Sequence, residues 1–410
     1  MIDISYLYAG KDSHSVPHRY GTQAHVKTSL EEKPYAIPSS AGARRPIAVW
    51  NLTRTCNLKC LHCYSDSEAK RYSGELNTQE AKAVIDDLSA FRIPAVLFSG
   101  GEPLIRDDIF ELARYASEKG LRTVLSTNGT LITPAVAQKI KAAGFSYVGL
   151  SLDGIGEVHD FFRGVKGAFN HTLSAIRYLV ALGQKTGLRL TLTERTVDQI
   201  DGLFDLIERN GIRRVCFYHL VPSGRGKVIF SIDPAKIRAA IDRILARTEK
   251  AIKQGYPLEV LTVDNHADAP YVYLKLKEKN DPRTEKVYDY LAWNGGGMNS
   301  SGVGISCIDS QGNVHPDQFW THYSLGNVRE RKFSEIWMNP EEPLLQKLRS
   351  REQYIHGRCR ACRFFNLCGG ALRVRAEIAT GDPWASDPSC YLTDEEIGLS
   401  KLEAAAHERS

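Results

Sequence analysis

Three thiols stand within eight residues in Cys56-Asn-Leu-Lys-Cys60-Leu-His-Cys63, directly after the apolar run AVWNLT. Thiolates at that density point to a soft metal. A structural zinc ion takes four protein ligands and a catalytic one takes three plus an open position, with thiol pairs about two to four residues apart. An iron–sulfur cubane is also held by thiolates, and three of them leave one iron free to bind something else. His62 lies between Cys60 and Cys63, where a short loop would struggle to aim every side chain at one metal. On the triplet alone, a cluster, a zinc ion and buried structural thiols all remain open. A second group, Cys359-Arg-Ala-Cys362, Cys368 and Cys390, offers four more thiols.

Positioning these groups requires a scaffold, and one is visible from residue 46. Apolar, β-branched runs (IAVWNL, AVLFS, RTVLS, YVGLSL, LRLTL, VCFYHL) alternate with segments of helical period. In one of these, residues 78–91, Ala81, Val84, Ile85 and Leu88 share a face, and Asn77 with Glu80 forms a capping box. Thr133-Pro134 opens another helix and Gly144 closes it. Six strand–helix units fit between residues 46 and 225, which implies parallel strands in a doubly wound sheet or an incomplete barrel. In both, chemistry gathers at the carboxyl ends of the strands. There the chain places the cysteine triplet, then Ser99-Gly100-Gly101-Glu102-Pro103, Ser126-Thr127-Asn128-Gly129 and Ser151-Leu152-Asp153-Gly154. Singly, each of the last three reads as a turn. Four strand ends in succession, each carrying thiolate, carboxylate, amide or hydroxyl groups, do not reduce to turns alone.

Around this core the pattern changes. Residues 1–45 read as an extended N-terminal arm, 46–227 as the β/α core, 228–300 as a helical linker, 301–398 as a compact cysteine-bearing domain and 399–410 as a tail. A chain of 410 residues with 42% hydrophobic and 25% charged residues has enough material for two domains. No apolar run reaches the length of a membrane span and the start lacks a signal-peptide pattern, so the expectation is a cytoplasmic protein with no membrane partner. Nine cysteines in a reducing compartment, seven of them in two groups, favour metal binding over disulfides. The net charge of +5 suits an evenly solvated surface better than a nucleic-acid footprint.

The CxxxCxxC after strand one, with Gly-Gly-Glu-Pro after strand two, resembles the radical S-adenosylmethionine (SAM) enzymes over residues 46 to about 225. The resemblance implies a partial (β/α)6 TIM-like barrel holding a 4Fe–4S cluster on Cys56, Cys60 and Cys63, with SAM on the open iron. It also implies SAM contacts from Gly100, Gly101, Glu102, Ser126, Asn128, Ser151, Asp153 and Arg163, and weaker ones from Thr193 and Leu220. The second cysteine group resembles the SPASM and twitch auxiliary-cluster region, implying a second 4Fe–4S cluster on Cys359, Cys362, Cys368 and Cys390. A full SPASM domain carries two clusters, but Asp317 stands where Gly312-x4-Cys would end, so Cys307 and Cys216 are expected as buried free thiols. A zinc ribbon on the same four residues is the rival reading.

The stretches NGGGMNSSGVGI, HPDQFWTHYSLGNVRERKFSEIW and GRCRACRFFNLCGG resemble the enzymes that trim side chains from modified tetrapyrroles. That resemblance implies an iron tetrapyrrole partner, an electron donor such as flavodoxin or ferredoxin, and loss of the two acetates of 12,18-didecarboxysiroheme. Propionate removal in haem d1 biosynthesis and peptide maturation are the alternatives. A zinc-stapled scaffold with no catalysis is a reading of a different class. An iron tetrapyrrole needs arginines for its carboxylates, a flat apolar wall and an axial ligand. Arg329, Arg331, Arg373, Arg375, Phe319 and Trp320 are expected to supply the first two; His315, Asp317, His322 and Tyr323 are the substrate-site candidates. No residue is singled out as catalytic.

Overall fold

The computed structural model describes residues 1–11, 45–228 and 232–399. Its strands are β1 (Ile2–Asp3), β2 (Ile47–Thr53), β3 (Val96–Gly100), β4 (Thr123–Thr127), β5 (Tyr147–Ser151), β6 (Thr186–Leu192), β7 (Arg214–His219), β8 (Glu259–Val263), β9 (Ile305–Ile308), β10 (Asn313–His315) and β11 (Gly326–Asn327). All eleven form one sheet in the order β1-β8-β7-β6-β5-β4-β3-β2-β9-β10-β11. From β2 to β8 every neighbouring pair is parallel. The sheet does not close on itself, since β1 and β11 are its edges, and the partial barrel expected from the β/α alternation is present.

Local signals account for much of this. The helix Thr78–Ala90 starts at the capping box: Asn77 accepts from the Gln79 and Glu80 amides, and the Glu80 carboxylate accepts from the Asn77 amide at 2.8 Å. Its Ala81, Val84, Ile85 and Leu88 are all buried, as their spacing predicts. The helix Pro134–Ala142 follows Thr133, whose hydroxyl accepts from Val136. Outer strand faces pack on such helices; Phe217 of β7, for example, stacks on Phe204 with ring centroids 5.9 Å apart. Toward the main cavity the strands instead present Ser126, Ser151, Arg189 and Tyr218 beside Val49 and Leu97, a wall of mixed polarity.

Two expectations are corrected. The segment 228–300, read as a helical linker, contains the helices Pro234–Lys253, Asp268–Glu278 and Thr284–Asn294, but also β8, the seventh parallel strand. A five-residue apolar run between helices cannot be distinguished from helix by periodicity alone. The arm 1–45 is not wholly extended: β1 pairs antiparallel with β8 (Ile2 opposite Thr262), and the turn of helix Ile4–Leu7 is buried beside it. The rest of the arm, 12–44, and the tail from 400 lie outside the described residues. The region after Ser301 is joined to the barrel rather than separate from it. β9 runs parallel to β2, and β10 returns antiparallel to β9.

Candidate functional site

The loop after β2 carries the cysteine triplet, and several elements fix its path. The Cys56 amide donates to the Glu68 carbonyl (3.0 Å), and the Lys59 and Leu61 amides donate to the Arg163 and Phe162 carbonyls (3.3 and 2.9 Å). From the far side Arg225 donates its amide to the Cys63 carbonyl and its Nε to the Cys60 carbonyl, both at 2.9 Å. Gly224 makes that approach possible, because a Cβ there would stand 2.4 Å from the Cys63 oxygen. The Leu58 amide points at the Cys56 sulfur (3.4 Å). Burial pushes the Cys56 thiol up to about 12, so the bare thiol is neutral at pH 7 and becomes a thiolate only against a metal charge.

Cys56, Cys60 and Cys63 border one cavity at the carboxyl ends of the strands, and Gly100, Gly101, Ser126, Asn128, Ser151, Asp153, Arg163 and Leu220 border the same cavity. Asp153 is 1% exposed and lies against Arg163 and His62, with His62 Nε2 at 3.2 Å from its Oδ2. Burial would raise the Asp153 carboxyl, but the Arg163 guanidinium, His62 and the Thr191 amide hold it well below the usual carboxylate range. Arg163 Nη1 also reaches the Cys60 sulfur at 3.5 Å. Asn128 donates to Asn57 (2.9 Å), tying the end of β4 to the cysteine loop.

The glycine pair serves the chain's own packing. A Cβ on Gly100 or Gly101 would stand 2.3 Å from the Thr53 or Thr55 carbonyl, and Gly100 has a φ of 135°. The strand end therefore seats against the first residues of the cysteine loop, which only glycine permits.

Several expected site residues lie elsewhere. Glu102 is fully buried and outside the cavity: its Oε1 accepts from Leu104 N (3.1 Å) and Thr127 Oγ1 (2.8 Å), and its Oε2 from Asn128 N (2.8 Å). It clamps the ends of β3 and β4 together. Thr193 is likewise turned away, its hydroxyl paired with that of Thr196 at 3.1 Å. None of the four substrate-site candidates borders the cavity. His315 donates Nδ1–H to the Tyr323 carbonyl (2.8 Å), Asp317 accepts from the Phe319 and Trp320 amides and from Ser301, His322 pairs with Glu377 on the surface (3.0 Å), and the Tyr323 hydroxyl donates to Glu342 (2.7 Å). The proposed carboxylate-binding arginines are engaged as well. Arg329 pairs with Glu80 (2.7 Å), Arg331 donates to the Leu325 carbonyl, Arg373 donates to the Pro383 and Ala385 carbonyls, and Arg375 pairs with Asp387 (2.8 Å). Trp320 is buried and donates to Glu377; Phe319 alone of that group reaches the cavity.

Sequence reasoning missed Tyr64, Arg189, Tyr218 and Arg225 on the cavity wall, and weighed His62, which also borders it, only as a metal ligand. Arg189 had a legible signal, a charge in the middle of the apolar strand run LRLTL.

Glu102 also supplies a pH test. Burial pushes its carboxyl up to about 7, against 4.5 ordinarily, even though three donors favour the charged form. Because the folded value is the higher one, the stabilisation is fully present below about pH 4.5 and is lost as pH rises to about 7, on the order of 3 kcal/mol in all. Thermal unfolding of wild type and Glu102→Gln between pH 4.5 and 8 should show this decline in wild type and not in the variant. Parallel pH profiles would show that Glu102 does not titrate in this range.

A second, smaller cavity is bordered by Cys359, Cys362, Cys368 and Cys390. The Asp387 amide points at the Cys359 sulfur and the Phe364 amide at the Cys362 sulfur, both at 3.4 Å. Asp387 and Arg375, each 1% exposed, make a two-pronged pair that fixes this wall. Burial pushes Cys362 up to about 11. Among the described residues no three His, Cys, Asp or Glu side chains converge on a point that would hold one metal ion.

The Radical SAM superfamily profile matches residues 50–207, and that of the SPASM iron–sulfur cluster-binding domain matches 302–363. The chain belongs to the radical SAM superfamily, with a SPASM region after its barrel, and its cofactors are SAM and two iron–sulfur clusters. It is 49% identical to the Fe-coproporphyrin III synthase of Methanosarcina barkeri over 403 residues, covering 97% of this chain and 99% of that one. The pre-heme d1 synthase of Dinoroseobacter shibae is 43% identical, with 88% and 89% covered. An AdoMet-dependent heme synthase of M. barkeri is 36% identical, with 84% and 95% covered. Among solved structures, SuiB of Streptococcus suis bound to S-adenosylmethionine shares the fold with a TM-score of 0.68 at 19% identity, covering 85% of this chain and 78% of that one. No helix among the described residues is long and apolar enough to cross a membrane.

Proposed function

We propose that this chain is a radical SAM enzyme of haem biosynthesis that removes the two acetate side chains of 12,18-didecarboxysiroheme to give iron coproporphyrin III. The observation that carries this is the 49% identity to the Fe-coproporphyrin III synthase across almost the whole of both chains. The cluster and SAM supply a 5′-deoxyadenosyl radical, the agent of hydrogen abstraction.

The residue assignments support that reading. Cys56, Cys60 and Cys63 hold the SAM-binding 4Fe–4S cluster. The Gly100–Gly101 backbone, Ser126, Asn128, Ser151, Asp153, Arg163 and Leu220 surround SAM, and Glu102 and Thr193 support that wall from behind. Cys359, Cys362, Cys368 and Cys390 hold the auxiliary 4Fe–4S cluster, with residues 46–227 as the core and 301–398 as the auxiliary region. Arg163, beside both Asp153 and the Cys60 sulfur, is placed to exchange part of its pairing for the SAM carboxylate, a charge-assisted contact suited to its fork. A one-electron donor such as flavodoxin or ferredoxin completes the system in the cytoplasm.

The test is an anaerobic incubation of reconstituted protein with SAM, reductant and 12,18-didecarboxysiroheme, followed by mass spectrometry of the tetrapyrrole. Loss of two acetate units is the expected result. Loss of propionate-sized fragments would instead favour the second reading, chemistry like that of the pre-heme d1 synthase, which the 43% relative makes specific. An unchanged tetrapyrrole with active SAM cleavage would overturn both.

A further inference from the structure

We propose that Arg189, on the barrel's inner wall, anchors a carboxylate of the substrate; the inference rests on the tetrapyrrole reading above. Arg189 sits on β6 opposite Ser151 of β5 and Cys216 of β7. Its guanidinium crosses β5 at Gly149, where an ideal Cβ would stand 2.4 Å from Nε and 2.7 Å from Nη2. Any side chain at 149 would evict it. Nη1 then donates to Ser126 Oγ of β4, so the guanidinium spans three strands and borders the cavity.

Of the cavity's other two arginines, Arg163 is paired with Asp153. Arg225, like Arg189, forms no ion pair among the described residues, but its amide and its Nε tie it to the Cys63 and Cys60 carbonyls of the cysteine loop. Arg189 has no such tie to the loop: its guanidinium donates to Ser126, and its buried Nε has no hydrogen-bond partner. A desolvated guanidinium without a counter-ion is expensive to keep, and the planar fork is shaped for a carboxylate. The glycine at 149 and the serine at 126 preserve that arrangement.

Two carboxylates could enter this cavity, that of SAM and those of the tetrapyrrole. Arg163 stands 3.5 Å from the Cys60 sulfur and is the arginine assigned above to the SAM carboxylate. Arg189 contacts none of the three cysteines. We therefore assign it to the tetrapyrrole, as a residue that binds and orients a side chain.

The test uses the cluster-loaded protein with Arg189→Gln and Arg189→Lys, with iron content and circular dichroism as checks on folding. Anaerobic absorption titrations give the Kd for 12,18-didecarboxysiroheme, and SAM affinity is measured in parallel. Arg189→Gln should weaken tetrapyrrole binding roughly 10- to 100-fold, the range for a lost charge-assisted contact, with SAM affinity within about twofold of wild type. Arg189→Lys, which keeps the charge but not the fork, should fall between. Methyl-esterified substrate should bind wild type about as weakly as Arg189→Gln binds the free acid, and esterification should cost the variant much less than it costs wild type. Wild-type tetrapyrrole affinity in Arg189→Gln would overturn the proposal, as would a loss confined to SAM affinity, which would assign Arg189 to the methionyl carboxylate. If wild type binds no tetrapyrrole at all while still binding SAM, the proposed function fails and this inference falls with it.

Discussion

Replacing Cys56, Cys60 and Cys63 together by alanine should remove about half of the roughly eight irons of the loaded protein and abolish 5′-deoxyadenosine formation. Both effects have the same cause. The three sulfurs border the main cavity, and the loop that carries them is pinned by hydrogen bonds from its own amides to Glu68, Phe162 and Arg163 and by Arg225. Those contacts are made by backbone atoms or by Arg225, so the substitutions leave the loop's path intact while removing every iron ligand in it. The auxiliary cysteines occupy a different cavity and share no wall residue with the first, so their cluster should survive. Iron analysis, electron paramagnetic resonance and chromatography of the SAM products check this; 5′-deoxyadenosine from the triple variant would refute the assignment.

The parts of this site that could be read in the sequence are those encoded locally. Asn77 and Glu80 announce a helix start because the capping box closes within four residues. The cysteine triplet, Ser126-Thr127-Asn128 and Ser151-Leu152-Asp153 could be placed at strand ends because each directly follows its apolar run. What failed were side chains whose role is set by the partner that folding brings to them, near or far along the chain. Glu102 looks like a ligand from its Gly-Gly-Glu-Pro setting, yet its oxygens are taken by Thr127 and Asn128, more than twenty residues away. Arg375 looks available for a tetrapyrrole carboxylate until Asp387 is seen against it, and His315 until the Tyr323 carbonyl and Asp309 are. Arg189 shows the reverse. In sequence it is an irregularity in a strand, and only the packing across Gly149 reveals a cation held inside the barrel.

The second large effect concerns the count of auxiliary clusters, and it turns on Cys390 and Cys307. Cys390→Ala should lose the auxiliary cluster, because Cys359, Cys362 and Cys368 would leave one iron uncapped in a cavity that Cys390 otherwise completes. Burial pushes the Cys390 thiol up, and the Arg358 guanidinium beside it offsets part of that rise. Cys307→Ala should leave iron content unchanged. Cys307 is fully buried on β9, opposite Val49 of β2 and His315 of β10, and its sulfur receives a contact from Asn51 Nδ2 at 3.6 Å. It borders neither cavity. Asp317, at the position where a further cysteine ligand would be expected, caps the amides of Phe319 and Trp320 instead. A thiol so placed acts as a small apolar side chain, and its loss should cost about 1 kcal/mol of packing. Iron and sulfide analysis of the two variants separates the outcomes: a drop of about four irons in Cys307→Ala would mean a third cluster in the chain.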